Sequence, residues 1–361
     1  MSKIIPIIQE RTPLNLGDVA DDHRWTFDQR GMDFDKDLGL TGKYCYHPFN
    51  TITIDGNGDV FMCVCESWLP ISVGKIWEFD SFDEIAHSTR ATELQESILD
   101  GTYKYCDNNT CGVIKTGALN NSMEFATNSI NKIVFAIDSS CNLTCPSCRT
   151  EFKFTSEGPE FEFKIKMAEH IAMMMNKHDN YSFLISGDGD PFASLVYRHL
   201  LTILQLNNKA VNVEIMTNGI LAKQHWHKLS GVHSRISNVT VSFDAGCEET
   251  YNITRRGGDW KKLLENVEFL TNLKKLDVHR NMKVISAFVV QTSNYKDMPA
   301  YVKICDELGV DVILFQKIVD WSTLDNFEKH AVWHPDHEEH QEFLTILNSL
   351  DNSKVNFTNV L

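Results

Sequence analysis

Apolar and polar positions in the middle of the chain alternate between two periods. Short runs rich in Val, Ile and Phe occur at 133–137, 181–185, 211–216, 239–243, 283–290 and 311–315. Runs of this length and composition read as strands. Stretches with helical spacing separate them at 161–176, 193–207, 222–229, 259–275 and 297–308, and another follows at 336–349. Strands alternating with helices predict an α/β fold with a parallel sheet, open or curled into a partial (β/α)6 barrel. The tail 350–361 either adds a last strand or lies loose.

The first third has a different texture. Residues 51–54 alternate, Asp55-Gly56-Asn57-Gly58 punctuates, and an apolar run follows at 60–64. This pattern predicts a hairpin. Segment 81–100 has helical spacing, and Ser81 with Glu84 predicts a capping box at its start. Residues 101–125 carry Gly101, Gly112 and Gly117 and read as a loop. The expected organisation is an arm (1–41), a small cysteine-rich α+β domain (42–125), the barrel (130–335), and a C-terminal helix and tail (336–361).

Composition narrows the function. The chain has 361 residues, 42% of them hydrophobic and 23% charged, which is globular rather than disordered. Its formal charge of −15 opposes broad binding to nucleic acid or to an anionic membrane. No run of apolar residues is long enough to span a bilayer, and the start lacks a secretory pattern. The expected address is the cytoplasm. In that reducing compartment ten cysteines point to metal or redox chemistry rather than disulfides.

Three of them form the sharpest signal: Cys141-Asn-Leu-Thr-Cys145-Pro-Ser-Cys148, directly after the first barrel strand. Ligands gather at that face of a β/α fold. Three thiolates without an evident fourth suit a [4Fe–4S] cluster with one open iron. The alternative is a zinc knuckle completed by a distant histidine.

This C-x3-C-x2-C motif resembles that of the radical S-adenosylmethionine (SAM) enzymes. The resemblance implies that the open iron chelates SAM and that the reduced cluster splits SAM to a 5′-deoxyadenosyl radical, which takes a hydrogen atom from substrate. Ser147 departs from the family, where an aromatic residue often precedes the last cysteine. Ser186-Gly187-Asp188-Gly189-Asp190-Pro191 resembles the family's glycine-rich loop, with Asp190 as the carboxylate that would receive an ammonium group. Asn218 (in Thr217-Asn218-Gly219) and Arg255 are further expected SAM contacts, and Asp244 is expected to contact the ribose or the substrate, as a cofactor-binding and catalytic residue. Arg255 is preferred to Arg256 for the SAM carboxylate. Gln291, Asn294, Gln316 and Lys317 are expected substrate contacts or ordinary loop residues.

Cys45, Cys63, Cys106 and Cys111 resemble the ligands of the auxiliary-cluster domains, SPASM and twitch, of peptide-modifying radical SAM enzymes. They imply a second [4Fe–4S] cluster, placed before the barrel instead of after it; zinc would take the same four thiols. Cys65 is left over. Cys247, near Asp244, would donate hydrogen to a substrate radical or simply pack. Cys305 and the Met173–Met175 run read as core and helix packing. Trp226, Trp260, Trp321 and Trp333 line a substrate channel or fill the core. His330, His334, His337 and His340 read as solvated helix surface.

The expected function is hydrogen abstraction from a peptide or protein, giving a crosslinked, oxidised or epimerised product. A reducing partner such as flavodoxin or ferredoxin is implied. The alternatives are a dehydrogenase or epimerase of a small metabolite such as a sugar or aminoglycoside, and a non-enzymatic metal scaffold.

Overall fold

Ten strands join in a single sheet in the order β10-β9-β8-β7-β6-β5-β4-β1-β2-β3. The computed structural model describes residues 36–123, 129–185, 189–207, 209–350 and 353–358. The strands are β1 (Thr51–Asp55), β2 (Asp59–Phe61), β3 (Ser72–Lys75), β4 (Lys132–Ala136), β5 (Tyr181–Ile185), β6 (Val211–Thr217), β7 (Ile236–Ser242), β8 (Lys283–Val290), β9 (Val312–Lys317) and β10 (Val355–Thr358).

Strands β4 to β9 are the six expected from the apolar runs. From β5 onward each pairs in parallel with its predecessor. Helices Pro159–Met175, Leu195–Ile203, Trp260–Leu273 and Met298–Glu307 lie in the connections. Capping explains several starts: Ser194 accepts from the Tyr197 N–H and Asp259 from the Lys262 N–H. Apolar side chains on the strands and inner helix faces are sealed from solvent, among them Phe135, Phe183, Val241, Phe288 and Phe315. Met174, Met175 and Cys305 join this core, while Met173 is exposed.

The structure corrects several element boundaries. The helix expected over 81–100 is two, Phe82–Ala86 and Thr89–Leu99. Ser81 and Ser88 each accept the N–H three residues on, so each starts a helix of its own. The 222–229 helix is one α turn followed by a 3-10 turn. A short helix, Glu248–Thr254, has no counterpart in the sequence reading. The C-terminal helix begins only at His340, and that residue is buried with its ring on the Val332 carbonyl; it is not solvated surface.

The hairpin is as expected. Asp55 accepts from the N–H groups of Asn57 and Asp59 and so closes the turn between β1 and β2. Its placement is not legible in the local pattern. Strand β1 pairs in parallel with β4, Thr51 opposite Lys132, and extends the barrel sheet across the 125–130 boundary. At the other edge the tail adds β10 in parallel to β9. Residues 1–35 of the expected arm lie outside the described residues. Among the described residues no helix is long and apolar enough to cross a membrane.

Candidate active site

The loop after β4 carries three cysteines. Two bonds shape it: the N–H groups of Cys148 and Arg149 both donate to the Cys145 carbonyl. This tight turn puts Cys145 and Cys148 on one wall with Cys141. All three line a cavity of about 360 Å³ at the C-terminal ends of the parallel strands. Arg149, Asp190, Asn218, Asp244, Arg255, Gln316, Lys317 and Trp321 share it. Cys141 and Cys145 are buried and Cys148 is exposed. Burial pushes the Cys141 thiol up to about 11, helped by the charge of Asp190. Burial also raises Cys145, against the opposing pull of Arg255.

Each sulfur has its own side-chain donor. Asn218 Nδ2 lies 3.6 Å from Cys141 Sγ, Arg255 Nη1 3.7 Å from Cys145 Sγ, and Arg149 Nη2 3.8 Å from Cys148 Sγ. A neutral thiol is a weak acceptor, so three such donors fit thiolates. They suit a cluster that needs all three sulfurs deprotonated.

The donors are themselves anchored. Asp190 is buried, and its Oδ1 accepts from the N–H groups of Phe192 and Ala193. Its Oδ2 accepts from Thr217 Oγ1 and the Asn218 N–H. A carboxylate offers about four lone-pair sites, so Asp190 has no acceptor left for an ammonium group. Its work is to fix Asn218 beside Cys141. The preceding Gly189 presses on the backbone entering the cysteine loop, where an added Cβ would meet the Asp138 carbonyl at 2.3 Å. Ser186, Gly187 and Asp188 lie outside the described residues.

Asp244 and Arg255 form a second anchor. They meet at 2.6 Å in a buried ion pair. Asp244 also accepts from the Val289 N–H, while Asn294 donates to its carbonyl. It sits at φ +57°, a left-handed conformation that Asp tolerates better than bulkier residues. Arg256 turns outward instead and clamps Thr144. Asn294 therefore braces Asp244, whereas Gln316 and Lys317 face the cavity.

Cys247 does not line this cavity. It starts helix Glu248–Thr254 with its sulfur 3.4 Å from Asp297 Oδ2. Of the four tryptophans, Trp321 lines the cavity, Trp226 packs in the core against Phe192 and His233, and Trp260 packs on Tyr251 and Phe243. Trp333 stacks under the Lys317 ammonium.

The other thiols gather beside β2. Cys106 feels the charges of Cys63, Cys45 and Cys111, and burial raises all four. The loops that carry them are tied together. The Asp107 N–H donates to the Trp68 carbonyl, Thr110 Oγ1 to the Ser67 carbonyl, and Tyr103 Oη to the Lys43 carbonyl. Among the described residues no three His, Cys, Asp or Glu side chains converge as ligands of one ion. Cys65 is only half-buried. It bonds Ser67 and lines a second cavity of about 590 Å³. Cys148, Arg149 and Trp321 line both cavities.

Sequence reasoning missed Arg149. The signal was available: a guanidinium directly after the last cysteine of the motif, on the loop that lines the cavity.

Comparison with known proteins agrees with this layout. The radical SAM superfamily model matches residues 139–303, and the model of an iron-sulfur cluster-binding domain matches 45–112. A curated relative, the GTP 3′,8-cyclase of Alkaliphilus metalliredigens (strain QYMF), is 23% identical over 160 residues, 44% of this chain and 49% of that protein. Streptococcus suis SuiB bound to the precursor peptide SuiA is similar at 14% identity and TM-score 0.44, over 63% of this chain and 48% of that one. Native anSMEcpe with bound AdoMet is similar at 21% identity and TM-score 0.39, over 53% of this chain and 52% of that one. The chain spans about half the length of each of these proteins. The superfamily's cofactors are SAM and a [4Fe–4S] cluster, and the smaller domain binds iron–sulfur clusters. Three donor-capped cysteines on a parallel sheet, with a second cysteine set ahead of them, thus coincide with a radical SAM domain at residues 139–303 and an iron–sulfur cluster-binding domain N-terminal to it at 45–112.

Proposed function

We propose that the chain is a SAM-dependent oxidoreductase that abstracts a hydrogen atom from a peptide or protein substrate, leaving a crosslinked, oxidised or epimerised product. One observation carries this reading: the second cavity shares Cys148, Arg149 and Trp321 with the first and is also lined by Cys65, which lies near Cys63 and Cys111. A segment of chain lying there would pass between the two sets of cysteines. The cluster and SAM supply the radical chemistry when bound.

The residues of the chain hold and enclose. Cys141, Cys145 and Cys148 would hold the cluster with the open iron; Cys45, Cys63, Cys106 and Cys111 would hold the auxiliary one. Asn218, Arg255 and Arg149 steady the three sulfurs. Lys317 and Gln316 present polar groups to the cavity. Trp321 lines both cavities. A low-potential electron carrier such as flavodoxin or ferredoxin would deliver the electron.

The test is anaerobic reconstitution with iron and sulfide, then reduction with dithionite in the presence of SAM. About eight irons per chain and 5′-deoxyadenosine are expected. Deuterium appearing in 5′-deoxyadenosine from a peptide pool labelled by growth in deuterated medium supports the peptide reading. Transfer only from a labelled small-metabolite extract supports the dehydrogenase or epimerase alternative. A fully loaded chain that cleaves no SAM with either pool overturns the enzymatic reading.

A further inference from the structure

Two of the three sulfur donors are built into buried networks: Asn218 through Asp190, and Arg255 through Asp244. The third serves a different kind of ligand. Cys148 is the exposed cysteine of the three, and it borders both cavities. Its donor is Arg149, whose Nη1 donates to the Ser139 carbonyl at 2.8 Å while Nη2 faces Cys148 Sγ at 3.8 Å. Ser139 stands at the start of the loop and Cys148 near its end. One planar fork therefore ties the two ends of the cysteine loop together.

We propose that Arg149 is a positioning residue for the Cys148 thiolate, and that it sets the reduction potential of the cluster held there and slows its loss. This inference rests on the radical SAM reading. The physics is direct. N–H···S bonds and nearby positive charge favour the more negative, reduced state of an iron–sulfur cluster and so raise its potential. The Arg149 charge acts on Cys141 and Cys145 as well as on Cys148. Cys148 also has the greatest exposure to water of the three, so it is where a chelator would enter first. Lysine carries the same charge but lacks the rigid fork, so it does not reproduce the two-point hold on Ser139 and Cys148.

The test compares the reconstituted full-length chain with Arg149→Gln and Arg149→Lys. The cluster of interest is the one whose electron paramagnetic resonance signal shifts on adding SAM. In Arg149→Gln that signal is expected at a more negative potential, with iron lost to a ferrous chelator several-fold faster than in wild type. Arg149→Lys should fall between the two. An unchanged potential and loss rate in Arg149→Gln overturns the inference. If Arg149→Gln loads no iron, Arg149→Lys decides. Faster loss or a shifted potential supports the role, and wild-type behaviour overturns it. A wild-type chain with no SAM-shifted signal sinks the superfamily reading itself, before any variant is compared.

Discussion

Arg255 and Asp244 stand 2.6 Å apart in a buried ion pair, and the same guanidinium reaches the Cys145 sulfur. The carboxylate thus aims the guanidinium at the Cys145 sulfur. Neutralising one member leaves the other charged, buried and unpaired, which costs about 3–5 kcal/mol. Asparagine tolerates the left-handed backbone at this position, so Asp244→Asn isolates the charge. The apoprotein variant should unfold at lower urea concentration by that margin. The reconstituted variant should form 5′-deoxyadenosine at least tenfold more slowly. Wild-type unfolding would show that the pair is not coupled as the geometry implies.

Gly189 has no room for a side chain. A Cβ would press on the Asp138 and Ser140 carbonyls at 2.3 and 2.7 Å, and both belong to the backbone leading into Cys141. Backbone cannot rotate away as a side chain can. Gly189→Ala should displace the cysteine loop and lower iron content by up to about four irons per chain, one cluster's worth. Iron and sulfide analysis with far-ultraviolet circular dichroism checks this. Full iron at both sites would refute it.

Cys63 and Cys65 differ in burial. Cys63 is buried among Cys45, Cys106 and Cys111, whereas Cys65 opens to the second cavity. Cys63→Ala should lose about four irons per chain and keep the SAM-shifted signal. Cys65→Ala should keep its iron. Equal losses in both variants would place Cys65 among the ligands.

Asp55 closes the β1–β2 turn, and burial raises its carboxyl to about 6, assisted by the charge of Asp59. Its ionised form is therefore disfavoured only in the folded chain. The stability it contributes is complete below its unfolded value and is lost as pH rises through about 6. Asparagine still offers an oxygen to the Asn57 and Asp59 N–H groups. The stability difference between wild type and Asp55→Asn should therefore shift toward the variant by roughly 1–3 kcal/mol from about pH 4 to about pH 7. Urea unfolding of both apoproteins at several pH values measures it; a difference that does not change with pH would reject it.

What could be read beforehand, and what could not, follows from the range of each interaction. The runs that became β4 to β9 carry their own apolar signature, so they were legible residue by residue. The grouping of Cys141, Cys145 and Cys148 is local too. Helix 81–100 was misread as one because Ser88 was taken for an interior residue rather than a second cap. Asp190 looked like a ligand-facing carboxylate, because its four donors come from its own turn and from the distant Thr217–Asn218 segment. Cys247 follows Asp244 closely in sequence, yet the intervening turn carries it to Asp297. The pairing of Thr51 with Lys132 leaves no mark on either segment alone.

That last pairing has a consequence for how the chain is made. Strand β1 emerges from the ribosome well before β4, its neighbour on one side. Parallel pairing between distant segments forms late. In the interval, the apolar residues of β1 sit on an open edge, the kind of edge that recruits other chains. Overproduction should therefore fail first through insoluble nascent protein. Slower translation or a lower growth temperature would be the remedy before any added iron.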